Sequence, residues 1–172
     1  MARKRGIDKQ VLRVLLRLYL VFGAILLGFV IALNVQAVHN HVVAPWTSFV
    51  THSASLLMNI FGASSWVVEN YLSTSSYAIN VVDGCNGIYA TAILISGILA
   101  YPSSWREKAL GLLLGVAAIF GLNLVRVISL FYLGEHYPDV FHEAHVYVWQ
   151  PIIIVWAIFV WDFWSRKIKP SK

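Results

Sequence analysis

Long apolar runs separated by shorter polar segments dominate the chain from residue 18 onward. A helix needs about 20 mainly apolar residues to cross the hydrocarbon of a bilayer. Four runs meet this requirement: Leu18–Val38, Gly84–Tyr101, Ala109–Leu133 and Val146–Trp164. The pattern predicts an all-α integral membrane protein, a four-span helical bundle in which residues 1–172 form a single membrane domain.

The segment between the first two runs, residues 39–83, is long enough to hold structure of its own. Its first part carries apolar residues at three- and four-residue spacings, which predicts an outward-facing helix lying on the membrane surface with this face down. These residues are Trp46, Phe49, Val50, Leu56, Leu57, Ile60 and Phe61. The runs SWVVENYL and SYAINVV, separated by the turn-rich STS, then predict a small β-hairpin, although short apolar runs also fit an irregular loop.

Composition and charge support the membrane assignment and give an orientation. Hydrophobic residues make up 59% of the chain and charged residues only 12%, against about 25% charged residues in soluble domains. Twelve of the thirteen lysines and arginines lie in the first seventeen residues, between the second and third spans, or at the C-terminal end. Because positively charged loops stay in the cytoplasm, both termini are predicted to be cytoplasmic. The net charge of +5 is therefore an orientation signal and does not indicate nucleic-acid binding.

The basic N-terminus, the apolar run and VQA at Val35–Ala37 also have features of a cleaved signal peptide. The apolar run exceeds the length of about 7 to 15 residues typical of such peptides. Only one of the two small residues of an A-x-A cleavage site is present. We therefore predict a retained membrane anchor.

The only cysteine, Cys85, lies in DGCNG at the start of the second apolar run. A single thiol excludes a disulfide within this chain. Asp83 is the predicted helix cap, and the two glycines of the motif allow a tight turn. A thiol in the first turn of a helix has a lowered pKa, which favours the nucleophilic thiolate. A lone cysteine beside a membrane helix is also compatible with inert packing.

One basic residue, Arg126, lies inside the third predicted span. A charged side chain at that depth costs several kcal/mol and usually faces a partner or a wet cavity. At about 1.5 Å per residue, Arg126 lies near the outer surface, at the depth of Cys85. Asn123 shares its helix face and is predicted to help orient the guanidinium. A structural arginine that snorkels outward is the alternative.

Two histidines, His142 and His145, precede the fourth span at the same depth. His145 is the predicted base, because His142 lies three residues further out and is predicted to be solvated. The other outward histidines, His39, His41, His52 and His136, are predicted to be solvent-exposed. The spacing H-E-A-H is one residue too short for the H-E-x-x-H zinc motif, so no metal is predicted.

A thiol, an imidazole and a permanent cation from three spans thus converge at one level of the membrane. This combination is what acyl transfer through a covalent thioester requires. The alternative is a non-enzymatic membrane assembly or carrier protein, in which Arg126 binds a lipid headgroup and Cys85 only packs.

The motifs DGCNG, LNLVRVISLFYLG and HEAHVYVWQP, in this order, resemble those of the exosortases, membrane cysteine transpeptidases related to the archaeosortases. The resemblance covers Tyr77–Trp164 and is greatest to the compact exosortase H type. It implies that Cys85 is the nucleophile, that Arg126 assists it and that His145 completes the triad. Asn86, Asn123 and His142 then have supporting roles. The chain departs from the family in its span count, four instead of about eight.

The resemblance also implies the substrate and the location. Exosortases act on secreted proteins whose C-terminus carries a recognition motif, a transmembrane helix and a basic tail, and transfer them to an acceptor. The expected location is the bacterial inner membrane, in contact with lipid, with the site at the periplasmic face. No metal or organic cofactor is expected. Hydrolysis, with water as the only acceptor, remains an alternative to transfer.

Overall fold

The computed structural model describes residues 9–168, which are mostly helical with one small sheet. The α-helices are α1 (Lys9–Leu33), α2 (Gln36–Val38), α3 (Ala44–Ile60), α4 (Ile88–Ala100), α5 (Trp105–His136), α6 (Phe141–Glu143) and α7 (Gln150–Lys167). The strands are β1 (Trp66–Val68), β2 (Tyr71–Ser73) and β3 (Ala78–Asn80). A 3₁₀ turn covers Pro138–Val140, and wider π-helical turns cover His39–Val43 and Ala144–Trp149.

Three helical segments of the described chain are long and apolar enough to cross a membrane: Leu12–Leu33, Trp105–His136 and Pro138–Lys167. These support a multi-pass membrane protein. The predicted count of four full spans is not confirmed, because α4 has only 13 residues. At 1.5 Å per residue it is about 20 Å long, shorter than a hydrocarbon core of about 30 Å.

The boundaries of the spans also differ from those predicted. Helix α1 ends at Leu33, so the predicted first span, which extends to Val38, is placed too far along the chain. Helix α4 begins at Ile88 and not at Gly84, because residues of the DGCNG motif form a loop. The predicted second span includes the polar and glycine residues of this loop, whose backbone is not helical.

The transmembrane core lies where α4 packs between α1, α5 and α7. Its buried cluster consists of Ala90, Leu94, Ile98, Ile119, Ile153, Ala157 and Trp164. Two indole groups connect α7 to α5: Trp156 Nε1 donates to the Ala118 carbonyl and Trp164 Nε1 to the Glu107 carbonyl, each at 3.1 Å. Buried indole N–H groups need acceptors, and these contacts fix the rotation of α7, which is preceded by His145.

The predicted outward helix exists as α3, but a different face of it is buried. The side that packs on the sheet and on α5 carries Thr47, Val50, Thr51, Ala54, Ser55 and Met58. Phe49, Leu56 and Ile60 are exposed, so the predicted apolar face is divided between two sides. The threonines can be buried because their hydroxyls donate to carbonyls one turn earlier in the helix, as Thr51 does to Thr47 at 2.8 Å.

The predicted hairpin is present as β2 and β3, and the sheet has an additional strand. The order is β1-β2-β3 with both pairs antiparallel. The extra hairpin turns at Glu69, whose φ is 55°, as two-residue hairpin turns require. Leu72, in the central strand, is fully buried against α3 and α5. After β3 the chain runs directly into the loop that carries Cys85.

Candidate active site

The loop before α4 is held against α3 by Asn86, whose side chain is fully buried. Its Oδ1 accepts from the Ile88 N–H at 2.9 Å, and its Nδ2 donates to Thr47 Oγ1 at 2.8 Å. Its carbonyl accepts from Trp46 Nε1 at 2.9 Å. All of these bonds fix the residue after Cys85, so the thiol is carried by a loop with a defined backbone.

Gly87 ends this loop in a left-handed conformation, with φ of 75°. A side chain here would be strained, and its Cβ would lie 3.0 Å from the Asn123 amide. Asp83 is not the helix cap that the sequence predicts. Its Oδ2 lies 3.0 Å from His39 Nε2, so His39 is also paired and not simply solvent-exposed.

The structure brings His145 and not His142 to the thiol. His145 Nε2 lies 2.9 Å from Cys85 Sγ, within hydrogen-bonding distance. His145 belongs to the widened turn before α7, and its ring stacks on Phe141 with centroids 6.2 Å apart and planes at 20°. His142 is exposed, as predicted. Phe141 packs on the imidazole, and the only sign of this contact in the sequence is the spacing of four residues between Phe141 and His145.

The thiol differs from the predicted helix-terminal thiolate. Cys85 lies three residues before α4, outside the helices that could cross a membrane. Burial raises the pKa of the Cys85 thiol, and the Arg126 charge and a backbone hydrogen bond from Val82 lower it by less. The thiol therefore needs a neighbouring base to form the thiolate, and His145 is in position to be that base.

Arg126 is almost completely buried, with 1% of its surface exposed. Its Nη2 donates to the Gly84 carbonyl at 3.0 Å and to Gln150 Oε1 at 3.1 Å. The guanidinium thus connects α5 both to the Cys85 loop and to the first residue of α7. Gln150 is not among the site residues that the sequence predicts, although a polar residue inside the last apolar run is a usable signal.

Asn123 does not make the predicted contact with Arg126. Its side chain is 1% exposed, and neither its Oδ1 nor its Nδ2 has a hydrogen-bond partner within residues 9–168. It lies instead against Gly87 at the end of the Cys85 loop. Asn123 therefore supports the loop by packing.

Cys85, His145 and Arg126, hereafter the candidate triad, are contributed by the loop before α4, the turn before α7 and the middle of α5. Beside them is a cavity of about 40 Å³ whose polar lining includes Asp83, Arg126 and Gln150. This arrangement brings together a thiol, an imidazole in contact with it and a buried cation. These are the groups with which a thiol attacks a carbonyl carbon.

Comparisons with known proteins find similar sequences. Residues 10–164 match the family described as "Transmembrane exosortase". The chain is 24% identical over 101 residues to "Probable archaeosortase E" of Methanocaldococcus jannaschii, an alignment that covers 57% of this chain and 54% of that protein. The match thus spans about half the length of that curated relative. No solved structure matches significantly.

Proposed function

The chain belongs to the transmembrane exosortase family, and on this premise we propose that it is a membrane cysteine transpeptidase or peptidase. Family membership suggests processing of sorting signals. The proposed substrates are secreted proteins whose C-terminal signal consists of a recognition motif, a transmembrane helix and a basic tail. The observation that carries the proposal is the 2.9 Å contact between Cys85 Sγ and His145 Nε2.

The proposed reaction begins when His145 Nε2 accepts the proton of the Cys85 thiol. The thiolate attacks the scissile carbonyl carbon, and Arg126 stabilises negative charge on the sulfur and on the carbonyl oxygen. The C–N bond then breaks, the leaving amine takes the proton from His145, and a thioester to Cys85 remains. An acceptor amine or water attacks the thioester, gives up its proton and releases the thiol.

The two neighbouring histidines give a matched test of this mechanism. We expect His145→Ala to reduce processing of a co-expressed substrate by roughly 10²-fold to 10⁴-fold, the usual loss when a general base is removed. His142→Ala should process close to wild-type level, because His142 is exposed. The measurement is the ratio of cleaved to full-length substrate in membrane fractions. Equal losses in the two variants would contradict the assignment of His145 as the base.

The proposed location is the bacterial inner membrane, with both termini in the cytoplasm and the candidate triad at the periplasmic face. We expect reporter fusions after Lys172 and within residues 103–108 to read cytoplasmic, and a fusion at Ser73 to read external, because basic residues mark one side of the chain. The measurement uses two reporters at each fusion point, one that is active only in the cytoplasm and one that is active only outside. A cytoplasmic signal at Ser73 would invert this orientation and remove the triad from the secretory face.

A further inference from the structure

Arg126 is held by neutral acceptors. A buried arginine commonly pairs with a carboxylate, which neutralises its charge and also accepts its hydrogen bonds. Here the two acceptors of Nη2 are a backbone carbonyl, that of Gly84, and a side-chain amide, that of Gln150. Among the ion pairs of residues 9–168, none includes Arg126. The hydrogen bonds are therefore made without cancelling the positive charge.

The side-chain amide of Gln150 can bond to Arg126 only through its oxygen. Arginine has no acceptor, so the amide oxygen of Gln150 must face it. Gln150 is the first residue of α7 and follows His145 by five residues. The same short segment of chain thus supplies the base and the acceptor that fixes the cation.

The carboxylate that lines the same small cavity is engaged elsewhere. Asp83 and Arg126 both line it, yet Asp83 Oδ2 is paired with His39 Nε2 at 3.0 Å. The titratable and charged groups near the thiol are Asp83 with its partner His39, Tyr89 in the lining of the cavity, Arg126 on α5, and His145 with His142 further out. Of these, Arg126 alone carries a fixed positive charge.

We propose that Gln150 is a positioning residue that holds Arg126 against the Cys85 loop with a neutral acceptor, so that the full guanidinium charge acts on the Cys85 sulfur. This inference rests on the proposed function in one respect, that Cys85 is the nucleophile. It explains why an amide occupies a position at which a carboxylate would bind arginine more strongly. A carboxylate there would hold the guanidinium more tightly but would offset the effect of its charge on the thiolate.

The test is the pH dependence of Cys85 alkylation by iodoacetamide in the purified full chain in detergent micelles. The chain has one cysteine, so the reaction reports on one site and needs no protein substrate. We expect Gln150→Glu to move the inflection upward by about 1 pH unit, which slows alkylation about tenfold below the inflection. Gln36→Glu, which adds the same charge at an exposed position, is the matched control and should leave the inflection in place.

A second pair of variants separates positioning from direct repulsion by the new carboxylate. Gln150→Met removes the acceptor without adding charge, and we expect a smaller upward shift because Arg126 is held by Gly84 alone. In an Arg126→Gln background, Gln150→Met should cause no further shift, since the two residues act as a unit. An unshifted inflection in Gln150→Met, or a shift that persists in the Arg126→Gln background, would overturn the inference. Absence of substrate cleavage by the wild-type protein would count against the proposed function only, because alkylation is measured independently.

Discussion

Replacing Cys85 by alanine is expected to abolish cleavage while full-length substrate, with its C-terminal helix intact, accumulates in the membrane. Loss of a covalent nucleophile reduces turnover by a factor on the order of 10⁶, far below the level that an immunoblot detects. The fold should persist, because Cys85 is only partly buried and lies at the edge of the cluster between α3, the sheet and α5. The measurement is an immunoblot of a substrate that is tagged on both sides of its recognition motif.

Two controls make the Cys85 result interpretable. Membrane insertion of Cys85→Ala should match that of the wild type, and a membrane-impermeant thiol reagent should label the wild type from outside and stop cleavage. Wild-type cleavage by Cys85→Ala, in a strain with no second enzyme of this type, would end the cysteine-transpeptidase proposal. The alternative, a non-enzymatic membrane assembly protein or a protein that binds lipid headgroups through Arg126, would then be favoured.

Substitution of Arg126 is expected to have the second largest effect. Arg126→Lys keeps the charge but loses the planar fork, so a single ammonium must replace a group that bonds Gly84 and Gln150 simultaneously. We expect Arg126→Lys to lose about 10²-fold to 10³-fold in processing, the range found when a group that stabilises an oxyanion is removed. Arg126→Ala should lose all detectable processing, because it removes the positive charge together with the hydrogen bonds to Gly84 and Gln150. The measurement is the cleaved fraction at equal amounts of membrane-inserted protein.

Arg166 provides the matched control for Arg126. It is exposed and pairs with Asp162 at 2.7 Å near the end of α7, far along the chain from the candidate triad. Arg166→Ala should therefore process normally. Normal processing by Arg126→Ala would leave Arg126 a structural residue whose hydrogen bonds connect α5 to its neighbours without a part in the reaction.

Hydropathy predicts the membrane class and most helices because the bilayer imposes one rule on every spanning segment, internal backbone hydrogen bonding. The boundary of α4 could not be predicted this way, since hydropathy treats Gly84–Gly87 as a continuation of the apolar run. The positive φ at Gly87 and the bonds of Asn86 to Thr47 decide that boundary. The bond to Thr47 depends on α3, because Thr47 lies 39 residues earlier in the chain.

The candidate triad could be assembled from depth alone, since each member lies near the outer end of a predicted span. The contacts that support the triad could not be predicted from depth, because they connect residues far apart in sequence. Gln150 contacts Arg126, 24 residues earlier in the sequence, and Asp83 contacts His39, 44 residues earlier. The side chains that pack on α5 from α3 likewise depend on the sheet, and this is why the buried face of α3 could not be predicted from the spacing of its apolar residues.

The length of α5 has a consequence for the shape of any polypeptide that reaches Cys85. Arg126 lies ten residues before the end of α5 at His136, which is about 15 Å of helix. The outer part of α5 is flanked by α3 and the sheet, which contact Val127 and Phe131. Cys85 packs at the edge of the same cluster and is only partly buried, so the thiol lies beside α3 and the sheet and not at the tip of α5. About five residues of extended chain bridge 15 Å, so a polypeptide that approaches along α5 from His136 reaches the level of Arg126 and the Cys85 loop only if about five of its residues are extended.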